Sequence, residues 1–137
     1  MLYRQATMNT AIATKLTKNP DGVGISACAN IMKLWGFNQA EMAITLGTPK
    51  PTLQRYLASP EKTKLNRDAL DRVSYVLNIH ASLRMFFSNP ENIYGYINMK
   101  NSNPLFNSNP PKSMILEGSM ENLIAVAKHI DALRGQW

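Results

Sequence analysis

The chain has 137 residues, with 15 Lys and Arg against 9 Asp and Glu and a formal net charge of +6. That is one domain's length, enough to bury a core without a metal or disulfide staple. Cys28 is the single cysteine, which excludes an intramolecular disulfide and points to a reducing, cytoplasmic setting. No apolar run nears the ~20 residues of a membrane span, and the opening MLYRQATMNT has no apolar signal core, so a soluble globule is expected.

The charge is uneven. Residues 1–68 carry nine Lys and Arg against four Asp and Glu, and residues 69–137 carry six against five. An excess confined to one half points that half at a polyanion.

In chain order, residues 5–18 read as a mobile arm or short helix, set off by the turn-rich Asn19-Pro20-Asp21-Gly22-Val23-Gly24. Residues 25–35 predict a helix with Ile25, Cys28, Ile31, Met32 and Trp35 on one face, stopped by Gly36. Short helices follow over residues 39–46 and 49–58. Leu65 to Phe87 carries a long stripe of Ala69, Leu70, Val73, Val76, Leu77, His80, Leu83 and Phe87 behind an Asn66 N-cap. Glu91 to Ile97 predicts one more short helix, and Asn98 to Pro111 an irregular polar loop. Ser119 caps a last helix whose Met120, Leu123, Ile124, Ala127, Ile130 and Leu133 face inward. No period-two alternation occurs, so the fold class is all-α. The expected division is an arm or short helix (1–24), a helix-turn-helix module (25–66), a long connecting helix (67–89) and a small C-terminal helical module (90–137).

Residues 38–57, NQAEMAITLGTPKPTLQRYL, carry the most specific signal. Asn38 and Glu41 form a capping-box pair, Gly47 ends the first helix, and Thr48 caps a second helix with Pro49 at its first position. Leu53 and Leu57 turn that helix back to the core. This packing pattern resembles the helix-turn-helix of Xre-type repressors, in which the second helix enters the major groove. The resemblance implies base contacts from Lys50, Thr52 and Arg55, and a phosphate or bracing contact from Gln39. Lys62, Lys64 and Arg67 follow in a loop suited to phosphate neutralisation. Pro51, in the first turn of the second helix, removes an N–H that would otherwise bind a phosphate.

The C-terminal segment has Asn103-Pro104, then Phe106, Pro111 and Gly118 ahead of an amphipathic helix. This resembles the toxin-binding domain of Xre/MbcA/ParS antitoxins. Asn107 and Ser108 stand where that family usually has glycines, and Tyr94 or Tyr96 stands for its usual Trp. The resemblance implies an antitoxin that occludes a RES-domain toxin, an NAD-degrading enzyme, and binds operator DNA to repress its own operon as a homodimer or higher oligomer. The implied toxin contacts are Lys128, Asp131, Arg134, Gly135, Gln136 and Trp137. The other reading is a stand-alone helix-turn-helix regulator with a different protein partner.

Nothing in the sequence assembles a catalytic set. Cys28 lies on an apolar helix face and reads as a buried thiol. His80 reads as a core histidine, and His129 has no metal-ligand spacing around it. No enzyme activity, cofactor or metal is expected.

Overall fold

The computed structural model describes residues 19–135. The arm expected over residues 5–18 therefore lies outside the described residues, as do Gln136 and Trp137. The described chain is all-helical: α1 (Pro20–Leu34), α2 (Gln39–Leu46), α3 (Lys50–Ala58), α4 (Arg67–Phe86), α5 (Pro90–Gly95), α6 (Pro111–Ile115) and α7 (Met120–Arg134). Short 3₁₀ turns follow α3 (Pro60–Lys62) and α5 (Tyr96–Asn98). None of the described helices is long and apolar enough to cross a membrane.

Helix α1 starts five residues earlier than its apolar pattern predicts, because the expected turn residues serve packing instead. Pro20 takes the first helical position, where its missing N–H is no loss. Gly22 faces the segment after α3 so closely that a Cβ would lie 2.0 Å from the Pro60 carbonyl oxygen. The Asn19 amide donates to the Pro60 and Thr63 carbonyls at 2.7 and 2.8 Å, and the Asp21 carboxylate accepts the Leu65 N–H at 2.8 Å. Five residues rich in turn signals are thus a helix start bolted to residues 60–65.

Local caps set most other boundaries. Asn38 and Glu41 form the full capping box on α2, Asn66 accepts the Ala69 N–H on α4, and Ser119 accepts the Asn122 N–H on α7. The start of α3 differs from expectation. Pro49 occupies its N-cap position and Lys50 its first turn. The buried Thr48 hydroxyl donates backward to the Leu46 carbonyl rather than capping forward. Helix α6 breaks into the end of the predicted loop, with Pro111 opening it; residues 99–110 carry no regular element.

The spine is α4, whose 20 residues span about 30 Å. It packs most extensively on α7 and also touches α1, α2 and α5. Its buried positions are Ala69, Arg72, Val73, Val76, Ile79, Ser82 and Leu83. Leu70, Leu77, His80 and Phe87 of the expected stripe are only half-buried. On α7, Leu123, Val126, Ala127 and Ile130 are buried, whereas Met120, Ile124 and Leu133 are half-buried. One hydrophobic cluster runs from Ile25 and Trp35 through Leu46, Leu53 and Val76 to Ile115 and Ile130.

Within this apolar surface sits a charge. The Arg72 side chain is 10% exposed and pairs with Asp68 at 2.9 Å. It donates to the Gly118 carbonyl at 2.9 Å and, more weakly, to the Thr45 carbonyl at 3.4 Å. Gly47, with φ +61°, has no Cβ to obstruct it; one would lie 2.7 Å from the Arg72 Nε. A second tie joins the same regions: Lys112 pairs with Glu41 at 3.1 Å and lies 4.8 Å from the Phe37 ring centroid. The Asn38 N–H bond, with Lys112 beside it, holds the Glu41 carboxyl below its usual range.

Arg72→Ala should leave the Thr45 and Gly118 carbonyls without a donor and open a void. Urea denaturation is expected to show a loss of about 2–4 kcal/mol. An unchanged midpoint would mean that apolar packing alone holds α2 against the loop before α7.

Candidate nucleic-acid interface

The angle between α2 and α3 is held by full burial of Leu46 and Leu53 and by the left-handed turn at Gly47. With Leu53 inward, the outward stripe of α3 is Lys50, Pro51, Gln54, Arg55 and Ala58. Thr52 is half-buried at the flank of this stripe, so it is less accessible than Lys50 and Arg55. Gln39, the first residue of α2, is exposed and accepts a 2.9 Å hydrogen bond from the Gln54 amide. The Arg55 guanidinium lies 5.8 Å from the Tyr56 ring centroid.

After α3 the chain tightens into the Pro60–Lys62 turn. The buried Thr63 hydroxyl anchors it on the Tyr56 and Ser59 carbonyls, both at 3.1 Å. Lys62 and Lys64 flank that anchor and are exposed. Together with Arg55, Tyr56, Ser59 and Thr63 they line an open cleft of about 410 Å³. No carboxylate among the described residues pairs with Lys50, Arg55, Lys62 or Lys64. Arg67 differs, since it pairs with Asp71 at 3.3 Å in a largely exposed contact that contributes little. Cations without partners keep their full charge for an incoming anion. Pro49 and Pro51 remove two N–H groups from the start of α3, so this surface must hold phosphate mainly through side chains.

Residues 16–78 match the family model of the antitoxin Xre-like helix-turn-helix domain. The matched span covers α1, α2, α3 and the first part of α4. That description joins a DNA-reading fold to antitoxin function and names no toxin. No curated protein matches the chain.

The matched segment is followed by two features of the C-terminal half. Lys128, Asp131 and Arg134 line a groove of about 330 Å³ between α4 and α7, with Tyr75, Asn78 and Ser82 on the other wall. Asp131 and Arg134 bind each other at 2.6 Å. Arg134 also reaches Met85, an apolar side chain left 67% exposed. Gly135 follows and is exposed.

The second feature is the loop before α6. Phe106 is buried with its ring edge-on to His129, the centroids 5.0 Å apart. Asn107 and Ser108, just after it, adopt φ of +51° and +67°, the left-handed region that glycine enters without cost. These are the two positions where the toxin-binding family usually has glycines.

Burial pushes the Cys28 thiol up to about 12, which removes the reactive thiolate. Burial lowers the pKa of both His80 and His129. His80 stacks on Tyr94 and shares a 3.2 Å hydrogen bond with its hydroxyl. Among the described residues, no cluster of His, Cys, Asp or Glu could hold a metal ion.

Gln54 on this surface, and Arg72 and Lys112 in the contacts behind it, were given no role from the sequence. Arg72 had one local signal, an Asp four residues before it within an apolar stripe. Ser108→Gly should relieve the left-handed strain and stabilise the fold by about 0.5–1 kcal/mol in urea denaturation. Destabilisation would show that the Ser108 side chain makes a compensating contact.

Proposed function

We propose that this chain is an antitoxin that binds operator DNA through its N-terminal half and inhibits a RES-domain toxin through its C-terminal half. The observation that carries the reading is the match of residues 16–78 to an antitoxin-type helix-turn-helix, on which Lys50, Arg55, Lys62 and Lys64 stand exposed and, among the described residues, without carboxylate partners.

On DNA, α3 lies in the major groove. Lys50, Thr52 and Arg55 face base edges, and Lys62, Lys64 and Arg67 neutralise phosphates. Gln39 contacts the backbone at the start of α2. The chain acts as a homodimer on paired half-sites and represses its own operon. Because α3 lacks two N-terminal donors, affinity depends on lysine and arginine charge and falls steeply with salt.

RES-toxin pairing is supported by the loop around Phe106. The family's glycine positions are occupied by Asn107 and Ser108, and both adopt the backbone conformation that favours glycine. Pro111 opens α6 and Gly118 has φ +89°, in keeping with the roles that such residues usually have. Toxin occlusion uses Lys128, Asp131, Arg134 and Gly135, together with Gln136 and Trp137, which lie outside the described residues. Arg and Trp are favoured anchors at protein interfaces. The chain works by binding alone, without a cofactor or a catalytic step.

Arg55→Ala should weaken binding to a selected operator by about 1–3 kcal/mol, read by fluorescence anisotropy at fixed salt. Unchanged affinity would remove Arg55 from the base-reading set. Deleting residues 134–137 should release a co-expressed RES-domain toxin, seen as loss of cell survival, while the deleted chain keeps its thermal unfolding temperature. Full survival would move the toxin contact elsewhere.

A further inference from the structure

Half of the chain's net charge lies ahead of α1. Residues 1–18 hold Arg4, Lys15 and Lys18 and no Asp or Glu, which gives +3 of the total +6. Residues 19–68, which contain the helix-turn-helix, hold six Lys and Arg against four Asp and Glu, a net of +2. The excess that sets the first half apart therefore belongs more to this leading segment than to α3 and its turn. The segment also holds Thr7, Thr10, Thr14 and Thr17, whose hydroxyls are donors of the kind that contact phosphate.

Residues 1–18 lie outside the described residues, but the place where they join the fold is fixed by three hydrogen bonds. The Asn19 amide donates to the Pro60 and Thr63 carbonyls at 2.7 and 2.8 Å, and Asp21 accepts the Leu65 N–H at 2.8 Å. The segment thus ends against the turn whose Lys62 and Lys64 line the basic cleft with Arg55. Lys18 adjoins Asn19, and Lys15 lies within about 14 Å of it even in a fully extended chain. Lys15, Lys18, Lys62 and Lys64 are thereby held at one edge of the helix-turn-helix, where Glu61 supplies one negative charge against four. Like charges gathered by a fold repel one another, and a polyanion relieves that repulsion.

We propose that residues 1–18 are a second DNA contact, in which Arg4, Lys15 and Lys18 bind phosphates flanking the site that α3 occupies, without reading bases. This rests on the DNA-binding reading above. Pro49 and Pro51 leave the start of α3 without two N–H donors, so phosphate binding there falls to side chains. Eighteen extended residues span about 60 Å at most, and one turn of duplex is about 34 Å long. The segment therefore has the length to reach the flank from its root beside Thr63. Each phosphate it neutralises releases counterions, which strengthens binding to any duplex and makes it steeper in salt.

The test compares the full chain with a triple variant, Arg4→Ala with Lys15→Ala and Lys18→Ala, on a selected operator and on an unrelated duplex. Affinity is read by fluorescence anisotropy across a salt series, and contacts by hydroxyl-radical footprinting. The triple variant should bind both duplexes about tenfold or more weakly at 0.1 M salt, with the ratio between them unchanged. The slope of log affinity against log salt should become shallower by about 2.7, or 0.9 for each of three contacts. Protection should disappear from the flank and persist over the central site. Light scattering and thermal unfolding should match wild type. A triple variant with the wild-type slope and footprint overturns the inference and leaves the DNA-binding reading standing. So does a variant that loses its oligomeric state, which would assign the segment to a subunit contact. Weakened binding to the operator alone overturns the claim that the contact reads no bases. If wild type binds neither duplex, both this inference and the DNA-binding reading fall.

Discussion

The buried guanidinium of Arg72 constrains the arrangement more than any other polar group. A charge removed from water is tolerated only when its donors find acceptors. Arg72 finds them in the Asp68 carboxylate, the Gly118 carbonyl and, at longer range, the Thr45 carbonyl. These belong to α4 itself, the loop entering α7, and the end of α2. The apolar contact of α4 with α1 and α7 supplies most of the driving force, but it is non-directional. Arg72 adds direction, and with it the position of the helix-turn-helix relative to the C-terminal half. Gly47 is coupled to the same requirement, because its turn needs a positive φ and its missing Cβ leaves room for the guanidinium.

The distribution of ion pairs gives the charge asymmetry its physical meaning. In the second half, Arg72, Lys112 and Arg134 are engaged with carboxylates at 2.6–3.1 Å. Around α3 and the turn after it, Lys50, Arg55, Lys62 and Lys64 have no such partner among the described residues. The cations around α3 are therefore available to an external polyanion, whereas three of the six in the second half are paired with carboxylates, Lys112 with one on a different helix. The groove between α4 and α7 ends in an internally compensated Asp131–Arg134 pair beside an exposed Met85, a mixture of polar and apolar surface common at protein interfaces.

The loop from Asn103 to Asn109 is held by local means. Asn101 and Asn103 side chains accept N–H groups two residues on, at 2.9 and 3.0 Å, and Phe106 is anchored in the core. Between these anchors Asn107 and Ser108 adopt left-handed backbone. Such strain persists where surrounding contacts over-determine the chain, and it coincides with the two positions at which this sequence departs from the glycine pattern of the toxin-binding family it resembles.

What the sequence determined by itself is what depends on neighbours three or four residues apart. The all-α class, the caps at Asn38, Asn66 and Ser119, the stop at Gly47 and the helix-turn-helix pattern of residues 38–57 all follow from hydrogen bonds and periodicities of that range. Tertiary structure decided the rest. Asn19 to Gly24 looked like a separator because turn residues and close-packing residues are the same types, and only the Pro60 carbonyl 41 positions away from Asn19 shows which purpose they serve. Burial of Leu53 set the rotation of α3, which left Thr52 half-buried and Gln54 exposed. The Gln39–Gln54 bond, the Lys112–Glu41 pair and the Arg72–Gly118 bond join residues 15, 71 and 46 positions apart. Side chains that distant meet only because the folded core has already placed their helices side by side, and no local pattern in the sequence encodes that placement.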